Sequence, residues 1–106
     1  MGKKQIQETL KIFTDRAKKK FNPDQIYLFG SYARDQANEF SDVDLIVVSR
    51  KFANIPQDKR LDLLYDLTKG LRPDLHVYGF TKSELEKASP LTSLSEVKKY
   101  GIPLIS

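Results

Sequence analysis

The sequence predicts an α+β domain in which helices pack on one small sheet. Short apolar runs rich in β-branched residues alternate with segments whose apolar residues recur every three or four positions. The length of 106 residues suits one domain, so we expect residues 1–106 to form a single unit. The composition agrees, because 40% hydrophobic and 30% charged residues are typical of a globular chain.

The first helix is predicted from Ile6, Leu10, Phe13 and Ala17, which step by four, three and four positions. The basic run Lys18–Lys20 follows in its last turn, where cations interact favourably with the helix dipole. We interpret this run as a solvated helix end. Nucleic-acid contact is the weaker alternative, because no aromatic residue interleaves the lysines.

Two buried strands are predicted next, over Ile26–Phe29 and Val43–Val48, with a short helix starting near Tyr32 between them. Ser41-x-x-Asp44 also matches a helix capping box. The apolar run that follows this box has no helical periodicity, which favours the strand.

The second half of the chain continues the alternation. We predict a helix over about 57–71, a strand over 74–80, a short helix opened by a Thr81–Glu84 capping box, a helix over 95–100 and an edge strand over 102–105. In the helix over 57–71, four leucines at helical spacing are expected to cover the sheet: Leu61, Leu64, Leu67 and Leu71.

Composition also limits the chemistry and the location. Without cysteine, and with one histidine, a metal ion would have to be held by oxygen, which favours magnesium, manganese or calcium. No apolar run approaches the ~18–20 residues of a membrane-spanning helix, and the polar start lacks a signal-peptide core, so we expect a cytoplasmic protein with no membrane partner. The net charge of +4 is modest for a protein that mainly grips nucleic acid.

A pair of aspartates opens the second strand. Residues at i and i+2 of a strand project to one face, so Asp42 and Asp44 should lie side by side while Val43 faces away. Two carboxylates against an apolar sheet repel each other unless a cation lies between them. Magnesium suits this arrangement because it takes one or two carboxylates and completes its shell with water and phosphate oxygens.

A small-residue turn, Gly30-Ser31, ends the first strand. Glycine leaves room for a phosphate, Ser31 can bond a phosphate oxygen, and the following helix N-terminus attracts anions. Arg34 can reach a phosphate or form a surface ion pair. Taken alone, this turn is more typical of an ordinary strand-to-helix connection than of a phosphate site.

Together, Gly30-Ser31, ten intervening residues and Asp42-x-Asp44 resemble the signature of the DNA polymerase beta-like nucleotidyltransferase superfamily. The short chain is similar to its minimal nucleotidyltransferase branch, the type found as antitoxins. The similarity extends to Pro73-Asp74, Thr81-x-x-Glu84 and Tyr100–Leu104.

The resemblance implies the nucleotidyltransferase fold, a small mixed β-sheet flanked by helices. It also implies a site with two Mg²⁺ ions held by three catalytic carboxylates: Asp42, Asp44 and Asp74. Gly30 and Ser31 would hold the β- and γ-phosphates of ATP, with Arg34 as a further nucleotide-binding residue.

The activity implied is transfer of a nucleotidyl group, AMP, from ATP to a hydroxyl. The minimal branch is commonly encoded beside a small helical protein of the HEPN type. Several such pairs behave as toxin and antitoxin, with the partner as the acceptor of AMP. An alternative is a binding module that neutralises its partner by contact. The minimal length and Asp35, at a position where the family often has glycine, favour this alternative.

Overall fold

The structure is a computed structural model that describes residues 3–30, 43–72, 74–87 and 101–105. In chain order its elements are helix α1 (Lys3–Phe21), strands β1 (Gln25–Phe29) and β2 (Val43–Val48), a 3-10 helix (Arg50–Phe52), helix α2 (Gln57–Asp66), strand β3 (Leu75–Phe80), helix α3 (Lys82–Glu86) and strand β4 (Ile102–Pro103). The helices expected near Tyr32 and over 95–100 lie outside the described residues.

The four strands form one sheet in the order β3-β2-β1-β4. β1 pairs antiparallel with β2 and with β4, whereas β2 and β3 run parallel. A parallel pair needs a long crossover connection, and α2 lies within it. The sheet is therefore mixed, and the predicted fold class is confirmed.

Helix α1 buries the apolar stripe predicted from its sequence. Ile6, Leu10, Phe13 and Ala17 are all buried, and they join the main core beneath the sheet. The three lysines of Lys18–Lys20 occupy the last turn, where cations suit the helix dipole. The predicted helix is thus confirmed over a longer range.

The two faces of the sheet are covered differently, because successive strand residues point to opposite sides. Leu45 and Val47 belong to the main core that α1 and α2 complete. Ile46 and Val48 belong to a smaller cluster with Leu85 of α3. Among the described residues, the second face therefore has less helical cover than the first.

The outer strand β4 lies beside β1, as predicted for an edge strand that contains proline. The Gln25 side chain holds Ile105, which follows β4, against the start of β1. Its Nε2 donates to the Ile105 carbonyl, and its Oε1 accepts from the Ile105 amide, both at 2.8 Å. This paired contact replaces a longer strand ladder.

Helix α2 ends at Asp66, earlier than the boundary near residue 71 that its leucines predict. Beyond Asp66 the backbone amides bond to carbonyls three residues back, which tightens the chain into turns. The Arg16 guanidinium then donates to the carbonyls of Leu67 and Lys69 at 3.0 and 2.8 Å. The carbonyls just after the end of α2 are therefore bound by a residue of α1, which is remote in sequence.

The leucines of α2 also differ from expectation in one place. Leu64 and Leu67 are buried as predicted, but Leu61 is 42% exposed. Leu61 instead lines a groove that Tyr78 of β3 also lines. The prediction that all four leucines cover the sheet was therefore wrong for Leu61.

The buried arginine Arg60 joins four segments. Its Nε donates to the Ile55 carbonyl at 2.7 Å, and its Nη2 donates to the Phe52 carbonyl at 2.6 Å. Its Nη1 donates to the Gly79 carbonyl at 3.1 Å and to Glu84 Oε1 at 2.8 Å. The guanidinium thus connects α2 to the 3-10 helix, to β3 and to α3.

Helix α3 begins with the predicted capping box. The Thr81 hydroxyl accepts from the Glu84 amide at 3.1 Å, and Glu84 Oε1 accepts from the Thr81 amide at 2.7 Å. This reciprocal pair satisfies two amides that a helix N-terminus would otherwise leave without partners.

The Glu84 carboxyl belongs to both this box and the Arg60 network. Burial raises its pKa, but the hydrogen bond from Arg60, the hydrogen bonds from Thr81 and the charge of Arg60 together lower it below the ordinary value of 4.5. The folded protein therefore favours the carboxylate form.

Among the described residues, no helix combines the length and the apolar character needed to cross a membrane.

We predict that Arg60→Met lowers the free energy of unfolding by about 3 kcal/mol, because two buried carbonyls and one partly buried carbonyl lose their donor. Lys59→Met is the matched control, since Lys59 is the exposed neighbour on the same helix. Urea unfolding measures both. A loss below about 1 kcal/mol for Arg60→Met would show that water replaces the guanidinium.

Glu84 predicts a pH dependence of stability. Because folding lowers its pKa, the carboxylate stabilises the folded protein above about pH 4.5, and this contribution is lost as the pH falls through the lower folded-state value. Unfolding midpoints measured between neutral pH and pH 3 should therefore fall less steeply in Glu84→Gln than in the original protein. Equal slopes would contradict the prediction, and Glu86→Gln serves as the comparison on the same helix.

Candidate functional site

Gly30 and Asp44 meet where β1 ends. Gly30 adopts the left-handed conformation, with φ of +76°, immediately after the strand. Its predecessor Phe29 pairs in register with Asp44 of β2. A Cβ atom added to Gly30 would lie 2.5 Å from Asp44 Oδ2, well inside van der Waals contact. The carboxylate of Asp44 therefore lies directly against the backbone of Gly30.

Both features require glycine at this position. Residues with a side chain rarely adopt this backbone conformation, and any side chain would displace the Asp44 carboxylate. Gly30 thus forms a cradle for the Asp44 carboxylate, which occupies the place that a side chain at residue 30 would take.

Asp44 lies on the sheet face predicted for it. Its neighbour Val43 is fully buried in the main core, whereas Asp44 is half-buried and points the other way. On the parallel side its register partner is His76 of β3. Asp44 is therefore flanked by Phe29 on one strand and His76 on the other.

Asp74 lies at the same end of the sheet. It is exposed and immediately precedes Leu75, which pairs with Val43 at the start of the parallel ladder. Strand alternation places Asp74 two residues before His76, the register partner of Asp44. The structure therefore brings Asp44 and Asp74 to the same end of the sheet, where the neighbouring parallel strands β2 and β3 begin.

The remaining predicted site residues, Ser31, Arg34 and Asp42, lie outside the described residues. So do Tyr32 and Asp35. Of the three predicted carboxylates, the structure therefore describes Asp44 and Asp74, whereas Asp42 lies outside the described residues.

The described donors suit a hard cation or a phosphate. Carboxylate oxygens are the ligands that Mg²⁺ prefers, and the Asp44 carboxylate lies directly beside the glycine turn. Within the described part of the chain, no three carboxylate or imidazole side chains are grouped closely enough to hold a metal ion by themselves. A site here would therefore need Asp42, substrate oxygens or both.

An aromatic pair lies on the same face as Asp44. The rings of Phe29 and Tyr78 have centroids 6.4 Å apart and are tilted by 55°. Tyr78 follows His76 by two residues and is 39% exposed. Phe29 was not among the predicted site residues, although its place beside the glycine turn was the available signal.

A groove along the outer edge of β3 was also missed. Its cavity of 250 Å³ is lined by α2 and β3: Leu61, Tyr65, Thr68, Leu75, His76, Val77 and Tyr78. Tyr65 is 68% exposed. Leu61 and Tyr65 are one helical turn apart, a spacing that the sequence displays but that is equally typical of residues packed in a core.

Known proteins show the same domain. A model of the nucleotidyltransferase domain matches residues 7–102 of this chain. The protein adenylyltransferase MntA of Thermococcus cleftensis is 31% identical over 83 residues, which cover 78% of this chain and 84% of that protein. A candidate protein adenylyltransferase of Methanocaldococcus jannaschii is 44% identical over 64 residues, 58% of this chain. That match spans only 41% of the length of the Methanocaldococcus protein.

Solved structures agree on the fold. A candidate nucleotidyltransferase from Sulfolobus solfataricus superimposes with a TM-score of 0.64 at 16% identity, over 97% of this chain and 87% of that one. A toxin-antitoxin structure with AMP-PNP superimposes with a TM-score of 0.62 at 23% identity, over all of this chain and 74% of that one. Identities this low establish the fold alone.

The family match covers most of the chain, and the fold agrees with it. The resemblance identified from the sequence is confirmed, and the enzyme class expected from it is that of the family. The chain belongs to the nucleotidyltransferase domain family.

Proposed function

We propose that residues 1–106 form one Mg²⁺-dependent nucleotidyltransferase domain that transfers AMP from ATP to a hydroxyl of a partner protein. The observation that carries this proposal is the contact between Gly30 and Asp44, in which the backbone of a strand-ending glycine lies against a half-buried carboxylate. A phosphate group bound at the glycine turn could share a cation with this carboxylate, because no side chain at residue 30 separates the turn from Asp44.

The proposed roles follow the predicted set. Gly30, Ser31 and Arg34 hold the phosphates of ATP. Three carboxylates hold the metal ions: Asp42, Asp44 and Asp74. When bound, two Mg²⁺ ions would neutralise charge on the phosphates and on the attacking and leaving oxygens. The position of Asp44 and Asp74 at the same end of the sheet supports this assignment.

The reaction is an in-line displacement at the α-phosphorus. The hydroxyl oxygen of the acceptor forms a bond to the α-phosphorus, and the bond from that phosphorus to the α,β-bridging oxygen breaks. Pyrophosphate leaves with the bonding electron pair, and the hydroxyl proton passes to Asp74 or to water. Asp74 is suited to accept it because its carboxylate is exposed at the open end of β3.

The proposed acceptor is a helical HEPN-type protein, with this chain as the antitoxin of the pair. The support is indirect and has two parts. The Thermococcus relative bears the name protein adenylyltransferase, and a structural neighbour is a toxin-antitoxin structure with AMP-PNP.

We predict that radiolabelled AMP appears on the protein encoded beside this chain when both are mixed with Mg²⁺ and α-labelled ATP. Asp44→Asn should reduce this labelling by at least about 100-fold, because the variant loses a ligand charge at the metal. Asp15→Asn, an exposed position on α1, is the matched control.

Omitting Mg²⁺ should have the same effect as Asp44→Asn. Absence of label in the original protein, with partner binding retained in Asp44→Asn, would instead favour the contact-only alternative. Equal labelling by Asp44→Asn and the original protein would contradict the assignment of Asp44.

A pair of glycine variants tests the cradle separately. Gly30 and Gly70 both adopt positive φ, +76° and +78°, but a Cβ at Gly70 meets no atom within 4 Å. Alanine at either position should cost about 1 kcal/mol through backbone strain. Only Gly30→Ala should also weaken Mg²⁺-ATP binding, by at least about tenfold, because only it displaces the Asp44 carboxylate. Calorimetric titration and urea unfolding of both variants measure the two effects, and equal ATP affinities would show that the cradle is not used.

A further inference from the structure

The outer edge of β3 directs backbone groups away from the sheet. β3 is the terminal strand of the sheet formed by the described residues. The Ser49 amide donates to the Phe80 carbonyl at 3.0 Å, so the backbone groups of Phe80 face β2. Because successive residues of a strand direct these groups to opposite sides, those of Leu75, Val77 and Gly79 face outward.

The outward-facing backbone groups of β3 differ in whether a hydrogen-bond partner is present. The Gly79 carbonyl accepts a hydrogen bond from Arg60, which closes that end of the edge. Within the described ranges, no other element donates to or accepts from the outward backbone groups of Leu75 and Val77. The edge is therefore closed near Gly79 and open toward Asp74, at the site end of the strand.

Exposed apolar side chains line the open part. Leu61, Tyr65 and Tyr78 are 42%, 68% and 39% exposed, and all three line the 250 Å³ groove. They are three of the five large hydrophobic side chains that are exposed in the described part of the chain. Such a concentration is typical of a surface that binds a protein.

The groove continues to the proposed catalytic carboxylate. A second cavity of 570 Å³ shares Tyr65, Thr68, Leu75 and His76 with the first, and Asp74 also lines it. A chain lying along the open edge would therefore reach Asp74 without leaving the protein surface.

We infer that an extended segment of the partner protein binds as an added strand along Leu75–Val77, with its apolar side chains against Leu61, Tyr65 and Tyr78. This segment carries the acceptor hydroxyl to the Asp74 end of the groove, a role that rests on the proposed function. An extended segment fits better than a helix, because the free main-chain groups of a strand pair with those of an open edge, whereas a helix uses its own internally.

The first test uses a capped peptide of alternating valine and threonine, with glutamate at each end. At saturation it should slow hydrogen exchange of the Val77 amide by at least about tenfold. Methylation of every second peptide nitrogen removes the donors on one side of a strand. One methylation series should therefore abolish binding, and the alternate series should leave it intact. Unchanged exchange at Val77, or equal binding by both series, would overturn the inference.

The second test removes the apolar contacts. Leu61→Ser and Tyr65→Ser should each raise the dissociation constant for the peptide by at least about fivefold. Both side chains are exposed, so folding should be unaffected. Ile12→Ser is the matched control, because Ile12 is 38% exposed on α1 and lies outside the groove. Equal losses in all three variants would show that the groove is not the binding surface.

A third comparison separates this inference from the proposed function. With the partner protein as acceptor, Tyr65→Ser should raise KM for the partner and leave kcat and the KM for ATP unchanged. If Tyr65→Ser labels the partner with an unchanged KM, the inferred binding of the partner along β3 is wrong, but the proposed function is unaffected. If the peptide slows hydrogen exchange of the Val77 amide but no AMP is transferred to the partner, the proposed function is wrong, whereas the inferred binding along β3 is unaffected.

Discussion

The buried guanidinium of Arg60 is the contact on which the arrangement of the second half of the chain depends. Its hydrogen bonds to the Phe52, Ile55 and Gly79 carbonyls fix the 3-10 helix and α2 against the end of β3. Its ion pair with Glu84 adds α3. A guanidinium is suited to this role because five donors in a rigid plane can serve several acceptors at once, and a buried carbonyl without a donor is costly. An apolar residue could fill the volume, but it could not join these segments.

The parallel pairing of β2 and β3 gives the site its geometry. In this register Asp44 lies beside His76, and Val43 lies beside Leu75, the residue that follows Asp74. Neighbouring strands are about 4.8 Å apart, so two carboxylates from the starts of adjacent parallel strands can serve one cluster of ions. The antiparallel pairing on the other side brings the glycine turn after Phe29 to Asp44. The two pairings therefore place groups from β1 and β3 on either side of Asp44.

Local sequence signals predicted much of this fold and part of the site. The apolar run Val43–Val48 matches β2 at both ends, and the Thr81 capping box begins α3 as predicted. These features depend on neighbouring residues, which a sequence displays. The end of α2 and the burial of Arg60 depend on contacts between distant segments, and arginine is most often exposed, so no local pattern could have shown them. The predicted pairing of Asp42 with Asp44 rests on strand alternation and stays a prediction, since Asp42 lies outside the described residues.

Arg60 also limits where an added strand can pair with β3. The outward groups of the strand belong to Leu75, Val77 and Gly79, and Arg60 already binds the Gly79 carbonyl. A segment displaced by two residues toward Gly79 would compete for that carbonyl, and success would leave a buried N–H of the guanidinium without a partner. Such a loss costs about 1–3 kcal/mol, whereas pairing at Leu75–Val77 displaces only water. The contact that stabilises the far end of the strand therefore limits the pairing of a docked segment to Leu75–Val77, the part of β3 next to Asp74.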